Sequence, residues 1–552
     1  MKKQLFILPL LIIGFCSCQA QPLNGKQSFT KQDTLRGTIG PEREWWDVLH
    51  YDITVRPDFA SKSITGKTTI KYKVLPGQRT DYMQIDLQDP LVIDTIFYDG
   101  KLYINYPARP YYKEGNVWHI PLPKVKTGSV HTISIAYHGT PREAQLPPWD
   151  GGWIFTTDEK KRPWMTVACQ GLGASVWFPC KDHQSDEPEE GASLTVIVPD
   201  PLVAVANGRL TSKTPVFIGK EDGDYTAYTW TVQNPINSYN IVPYIGAYVN
   251  LRDTLMGEKG KLDLSCWILD YETDNAKQVE QVKPTLRAFE YWFGPYPFYE
   301  DGYQLVQAPH LGMEHQSAIA YGNEFKNGYL GKDLSGTGWG LKWDYIIVHE
   351  TGHEWFANSI TTRDIADMWV HEGFTDYSET LFVEYYYGKQ AANEYVQGLR
   401  KNILNDVPII GPYGVNKEGS GDMYFKGANI VHTIRQLIND DEKFRELLRG
   451  MNRDFYHQIV TSKQIEDYII KKTGLDLRKF FDQYLRTTKV PVLEVKGNQY
   501  RWTNCVEGFK MPVRLKNGEW IYPESKPKKL TAAQLSGGFE VDPNFYIEVK
   551  KS

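Results

Sequence analysis

The stretch His349-Glu-Thr-Gly-His353, followed by Glu372 in Met368-Trp-Val-His-Glu-Gly-Phe374, limits the folds open to this chain more than any other feature. On a helix turning about 100° per residue, positions four apart lie about 40° from alignment, so both imidazoles leave one face. Two imidazoles and a carboxylate satisfy three positions of a tetrahedral zinc ion and leave the fourth for water. Glu350, between the histidines, then stands beside that water as a general base. The pattern requires one helix carrying the pair and a second whose first turn brings Glu372 against it. Alone, such a pair also arises on ordinary helix surfaces; the distant glutamate gives it meaning. Glu379, two turns beyond Glu372 on the same face, is placed to accept the second ring N–H of a ligand histidine.

With 552 residues the chain has length for about three domains. Its 62 basic and 67 acidic residues give a net charge of −5. No concentrated basic footprint points to a nucleic-acid partner. At the N-terminus, Met1-Lys-Lys3 precedes an apolar run from Leu5 to Phe15 and then Cys16-Ser-Cys-Gln-Ala20. A basic start with a short apolar core reads as an export signal, too short to span a bilayer as a mature helix. Two outcomes are open. Cleavage before Cys18, with lipid on that cysteine as in bacterial lipoproteins, tethers the protein to a membrane; cleavage after Ala20 releases it. Either places it in the periplasm or cell envelope. Four scattered cysteines remain, Cys169, Cys180, Cys266 and Cys505, read as isolated buried thiols, with a Cys169–Cys180 bridge as the alternative.

The fold class is multidomain α+β. Residues 1–20 are the signal and 21–44 an unpatterned linker. Residues 45–251 form an N-terminal antiparallel β-domain, with alternation in His50–Arg56, Thr68–Val74, His131–Tyr137 and Ser193–Val198. Residues 252–488 form a mainly helical catalytic domain, with helical patterns at 275–293 (kinked at Pro284), 341–359, 371–387, 392–405, 424–439, 461–474 and 476–486. Thr461 and Gln464 make a capping box. Residues 489–552 revert to short strands, a small β-sandwich.

His349-Glu-Thr-Gly-His-Glu-Trp-Phe-Ala-Asn358 with Met368–Phe374 resembles the aminopeptidase N and leukotriene hydrolase family of gluzincins. Phe289–Phe298 is similar to the segment opening that family's thermolysin-like catalytic domain. Gly312-Met-Glu-His315 is similar to its exopeptidase motif, and Tyr424-Phe-Lys-Gly427 to its tyrosine motif. Phe178-Pro-Cys-Lys-Asp182, with Gln170 upstream, is similar to a landmark of its β-domain. The order is preserved from about residue 45 to the end.

The resemblance implies a zinc aminopeptidase acting on peptides with a free N-terminus. It makes Glu314 the anion that binds the substrate's α-ammonium, and Tyr424 the donor to the oxyanion. Gln170 would contact the first substrate residue, and Gly312 and Met313 the peptide backbone. Departures from the pattern are His315 and His371, both usually Asn, and a replaced arginine near Ser175. Gly419 stands where the epoxide-hydrolysing branch has a tyrosine. The chain resembles a short bacterial form lacking the family's large helical C-terminal domain, for which a more open cleft is expected. Two other readings remain: a catalytically impaired relative that only binds peptides, which has no need of Glu350, Tyr424 and all three ligands together, and an endopeptidase.

Overall fold

The computed structural model describes residues 28–77, 80–103, 110–218, 224–532, 534 and 539–551. The export signal and Cys18 lie outside them. The expected linker is structured from Lys31 on. Helix α1, Lys31–Gly37, opens on a reciprocal cap between Thr30 and Asp33. It docks through polar groups: the Gln32 amide donates to Glu114 O at 2.9 Å and the Gln84 amide to Leu35 O at 3.1 Å. None of its residues is fully buried, so it leaves no apolar period to read.

The four alternating segments all lie in an eight-stranded sheet. It departs from the expected antiparallel pattern at one pairing, where Trp46–Asp58 runs parallel to Ala192–Pro199. Period-2 alternation turns Ile53, Val55, Ile70, Ile133 and Val196 into one buried layer. Cys169, Cys180 and Cys266 are separate buried thiols, without the alternative bridge.

A five-stranded sheet joins this part to the helices. Its order is Tyr248–Gly257, Gly260–Leu269, Tyr303–Gln307, Ile319–Tyr321, Gly312–Met313. Cys266, Leu305 and Ile319 point into the helical core, whereas Trp267, Val306 and Ala320 point into the β-domain core. The part expected to be mainly helical, residues 252–488, therefore carries a sheet as well. Tyr303–Gln307, Ile319–Tyr321 and Gly312–Met313 are buried on both faces and so lack the alternation that marks a half-exposed strand.

Helix α2, Val282–Phe293, follows a 3-10 stretch, Thr273–Gln281. Pro284 lies in its first turn, where no intrahelical partner for an N–H is lost, so it makes no kink. Helix α3, Tyr345–Gly352, is shorter than the predicted span 341–359. The Asp344 carboxylate caps Ile346 N and Ile347 N, and beyond Gly352 the chain turns tightly through Ala357 at φ 139°. Helix α4 is Trp369–Tyr387, α5 Lys389–Leu399, α6 Phe425–Ile438, α7 Asp441–Asp454, α8 Ser462–Thr473 and α9 Arg478–Arg486. The Thr461–Gln464 capping box is present at α8.

Two close approaches set the geometry. A Cβ on Gly352 would fall 2.5 Å from Ser378 Oγ, so its absence lets α3 lie against α4. A Cβ on Gly427 would fall 2.7 Å from Gly373 Cα, so α6 and α4 cross backbone to backbone. The last segment forms a four-stranded and a two-stranded sheet. Leu493, Trp502, Val513 and Phe545 belong to the same hydrophobic core as the catalytic helices. The expected sandwich is thus a cap on the helical part.

Candidate metal centre and its cleft

His349 lies on α3, His353 on the residue that caps it, and Glu372 in the first turn of α4. The two Nε2 atoms are 3.2 Å apart, and Glu372 Oε2 lies 3.3 Å from that of His353 and 3.8 Å from that of His349. Their other atoms are pinned from behind. His349 Nδ1 is 2.7 Å from Glu379 Oε1, and the Tyr395 hydroxyl holds Glu379 Oε2 at 2.6 Å. His353 Nδ1 donates to Phe356 O at 3.0 Å, with Thr375 Oγ1 3.1 Å away. With Nδ1 engaged, each ring turns its Nε2 lone pair inward.

Glu372 Oε2 is buried and has no hydrogen-bond partner among the described residues. Burial alone would push its carboxyl up, but His353 and His349 in their protonated form outweigh that and hold it well below the usual carboxylate range; a divalent cation between the same atoms takes the place of those protons. Two inward lone pairs and an unpartnered carboxylate oxygen, all within 4.8 Å, make a poor arrangement by themselves and a good one around a divalent cation. The nitrogen and oxygen donor set suits zinc.

Glu350 projects from the same turn of α3, and burial pushes its carboxyl up to about 7 against the pull of the two histidines. Facing it is the sheet-edge strand Gly312–Met313. A Cβ on Gly312 would lie 2.7 Å from Glu350 Oε1, so only glycine lets that edge come so near. Tyr424, the residue preceding α6, lies with its ring 6.2 Å from that of His349 and nearly parallel to it. Burial, followed by the carboxylates of Glu372, Glu314 and Glu350, raises its hydroxyl pKa well above normal, so it stays a donor.

Glu314 is buried, and its carboxylate, a Glu350 oxygen and a His353 nitrogen lie within 4.8 Å of one another. It accepts hydrogen bonds from the Gln170 amide and, at 2.9 Å, from the Tyr239 hydroxyl. The structure thus brings His349, Glu350, His353, Glu372, Glu314, Gln170, Gly312, Met313 and Tyr424 to one cleft, with Glu379 behind His349. Tyr239, Thr375 and Tyr395 were missed; each acts on a partner at least 16 positions away and carries no local motif. The two unusual histidines have internal roles: His315 Nδ1 pairs with the Tyr244 hydroxyl at 2.6 Å, and His371 Nε2 accepts from Thr362 N at 2.8 Å. The site opens on a cleft of about 610 Å³, walled by Trp149 and Gln170 of the β-domain and by Tyr329, Tyr345 and Phe425 of the helical part.

A family described as the peptidase family M1 domain matches residues 278–484, and the peptidase M1 N-terminal domain matches 48–239. The chain belongs to peptidase family M1. Among M1 proteins, aminopeptidase N of Lactobacillus helveticus is 24% identical over 80% of this chain and 51% of its own length. Leukotriene A-4 hydrolase of Xenopus laevis is 22% identical over 84% of this chain and 75% of its own. The chain thus spans about half the length of the first of these relatives. An M1 zinc metallopeptidase of Deinococcus radiodurans shares the fold, with TM-score 0.64 and 19% identity over 82% of this chain and 95% of that one. A mutant of that metallopeptidase has been crystallised with a Tyr-Ser-Ala substrate bound.

Proposed function

We propose that this M1 chain is a zinc aminopeptidase that removes the first residue from peptides. The observation that carries the reading is Glu314. A buried carboxylate, held by two donors and lying within 4.8 Å of the base and a ligand, puts a free α-ammonium one residue's reach from the metal centre. That distance registers the chain end and sets the first peptide bond over the metal centre.

His349, His353 and Glu372 would hold the zinc, which when bound supplies a Lewis acid that polarises the scissile carbonyl and acidifies the attacking water. Glu350 takes the water's proton and passes it to the leaving amine. Burial raises its carboxyl above the ordinary range, which makes it a stronger base for that proton. The Tyr424 hydroxyl donates to the oxygen that gains charge, a contribution of roughly 3–4 kcal/mol. The open edge at Gly312–Met313 offers backbone groups to an extended peptide. A peptide bound in the Deinococcus radiodurans relative supports that substrate class.

Glu350→Gln is expected to abolish hydrolysis of aminoacyl-arylamides while one zinc per chain is retained. Retained turnover would discard the mechanism, and equal cleavage of a peptide and its N-acetyl form would discard the role of Glu314. Export to the cell envelope is supported by the basic and apolar start of the sequence. Mass analysis of the mature N-terminus tests it, with a lipid on Cys18 or a free end after Ala20 as the two expected results and an intact Met1 against it. Among the described residues no helix is long and apolar enough to cross a membrane.

A further inference from the structure

Two side chains on the wall of the catalytic cleft take no part in the chemistry described so far. Trp149 lines the cleft with 70% of its surface exposed, the only tryptophan among the large exposed hydrophobics of the described residues. Glu418 lines it too, with its side chain 44% exposed. The other carboxylates of the lining, Glu314, Glu350 and Glu372, already have tasks, and among the described residues no lysine or arginine lines the cleft. The ion pair that Glu418 does make is with its neighbour Lys417, at 4.0 Å.

Both side chains stand on tightly closed turns that reach the same stretch of chain. Trp149 N donates to Leu146 O at 2.9 Å, and the Asp150 carboxylate accepts from Gln145 N at 2.7 Å and from Leu146 N at 2.8 Å. A Cβ on Gly151 would fall 2.7 Å from Leu172 Cβ, so this turn lies against the residues that follow Gln170. On the second turn, Gly419 passes so close to Ile409 that a Cβ would fall 1.8 Å from its carbonyl oxygen. Asn416, two residues before Glu418, donates through its side chain to Gly171 O at 3.0 Å. Trp149 and Glu418 are thus both fixed next to residues 170–172, and the Gln170 amide donates to Glu314.

We propose that Trp149 and Glu418 are specificity-determining residues for the substrate's first side chain, and that together they favour peptides beginning with Arg or Lys. This rests on the aminopeptidase reading. With the ammonium on Glu314 and the first carbonyl directed to the metal centre, the side chain leaves Cα in the remaining direction, past Gln170. A long side chain there reaches the indole and the carboxylate. An indole face accepts an apolar stem and attracts a cation, and a carboxylate pairs with a cation and repels an acid. Arginine and lysine carry both stem and cation, leucine satisfies the indole alone, and glutamate is opposed by Glu418.

The test measures kcat/KM for arginyl-, citrullinyl-, leucyl-, alanyl- and glutamyl-arylamides on the full-length zinc-loaded protein. Citrulline keeps the shape of arginine without its charge. In the wild type arginyl is expected to exceed citrullinyl by about tenfold, with glutamyl the slowest of the five. Added salt should shrink that ratio, since Glu418 is partly exposed. Glu418→Gln should bring the arginyl-to-citrullinyl ratio to within about twofold of unity, and Trp149→Ala should lower arginyl and leucyl about fivefold relative to alanyl. Equal wild-type rates for arginyl and citrullinyl would overturn the assignment whether or not the variants fold. Ratios unmoved in either variant, including a change that scales all five substrates together, would overturn it too. Turnover of none of the five by the wild type is a different failure: it overturns the aminopeptidase reading itself.

Discussion

Glu314 owes its usefulness to Tyr239, a residue with no motif of its own. Burial pushes the Glu314 carboxyl up, and the Tyr239 hydroxyl is among the groups that resist the shift. Removing that hydroxyl leaves the Gln170 amide as the remaining side-chain donor described here. The carboxyl pKa then rises further, so charge is lost at a higher pH than in the wild type. Tyr239→Phe is accordingly expected to raise KM for free-amine substrates by about tenfold, the cost of one hydrogen bond to a charged group. It should also move the acid limb of kcat/KM to higher pH. An unchanged limb in a pH–rate profile would separate Tyr239 from Glu314. The metal ligands and Glu350 are legible in sequence because they fall within one helical repeat and one nearby turn. Glu379, which orients His349, is legible as well, two turns along the same helix from Glu372; Tyr395 behind it and Tyr239, which holds Glu314 from the β-domain, are not, because each reaches its partner only through the fold.

At the level of elements, the Gly373–Gly427 crossing determines where Tyr424 stands relative to Glu372. Gly427 lies in the first turn of α6, which Tyr424 precedes, and Gly373 immediately follows Glu372. Alanine is the better helix former by roughly 1 kcal/mol, so propensity alone predicts that Gly427→Ala stabilises α6. The added Cβ would nevertheless meet backbone at 2.7 Å, and the helices must separate. The expected result is a fall in kcat of at least about tenfold with a small change in KM, because a displacement of about 1 Å at a reacting centre costs as much. Steady-state kinetics on leucyl-arylamide checks this, and an unchanged kcat would refute the crossing as the determinant. Helices with a strong period and a cap, such as α8, were readable to within a residue or two. α7 was passed over although Phe444, Leu447, Leu448 and Met451 carry a helical spacing behind the Asp440 cap. α1 offered no such signal, since it is held by backbone and amide contacts instead of an apolar face.

For the molecule as a whole, the sequence showed a β-rich half, a helical half and a β-rich end, but not the seam between them. Alternation distinguishes inside from solvent, and it falls silent where both faces of a sheet are inside. That seam is the five-stranded sheet, with Trp267, Val306 and Ala320 in one core and Cys266, Leu305 and Ile319 in the other. One wall of the catalytic cleft is the edge of this sheet, so the β-domain cannot swing from the helices as a lid swings on a hinge. Any relative rotation would have to shear side chains packed on both of its faces, and close-packed interiors resist such deformation. On the proposed reading, a peptide enters a groove whose width is set when the chain folds, and the work of fitting falls to the substrate.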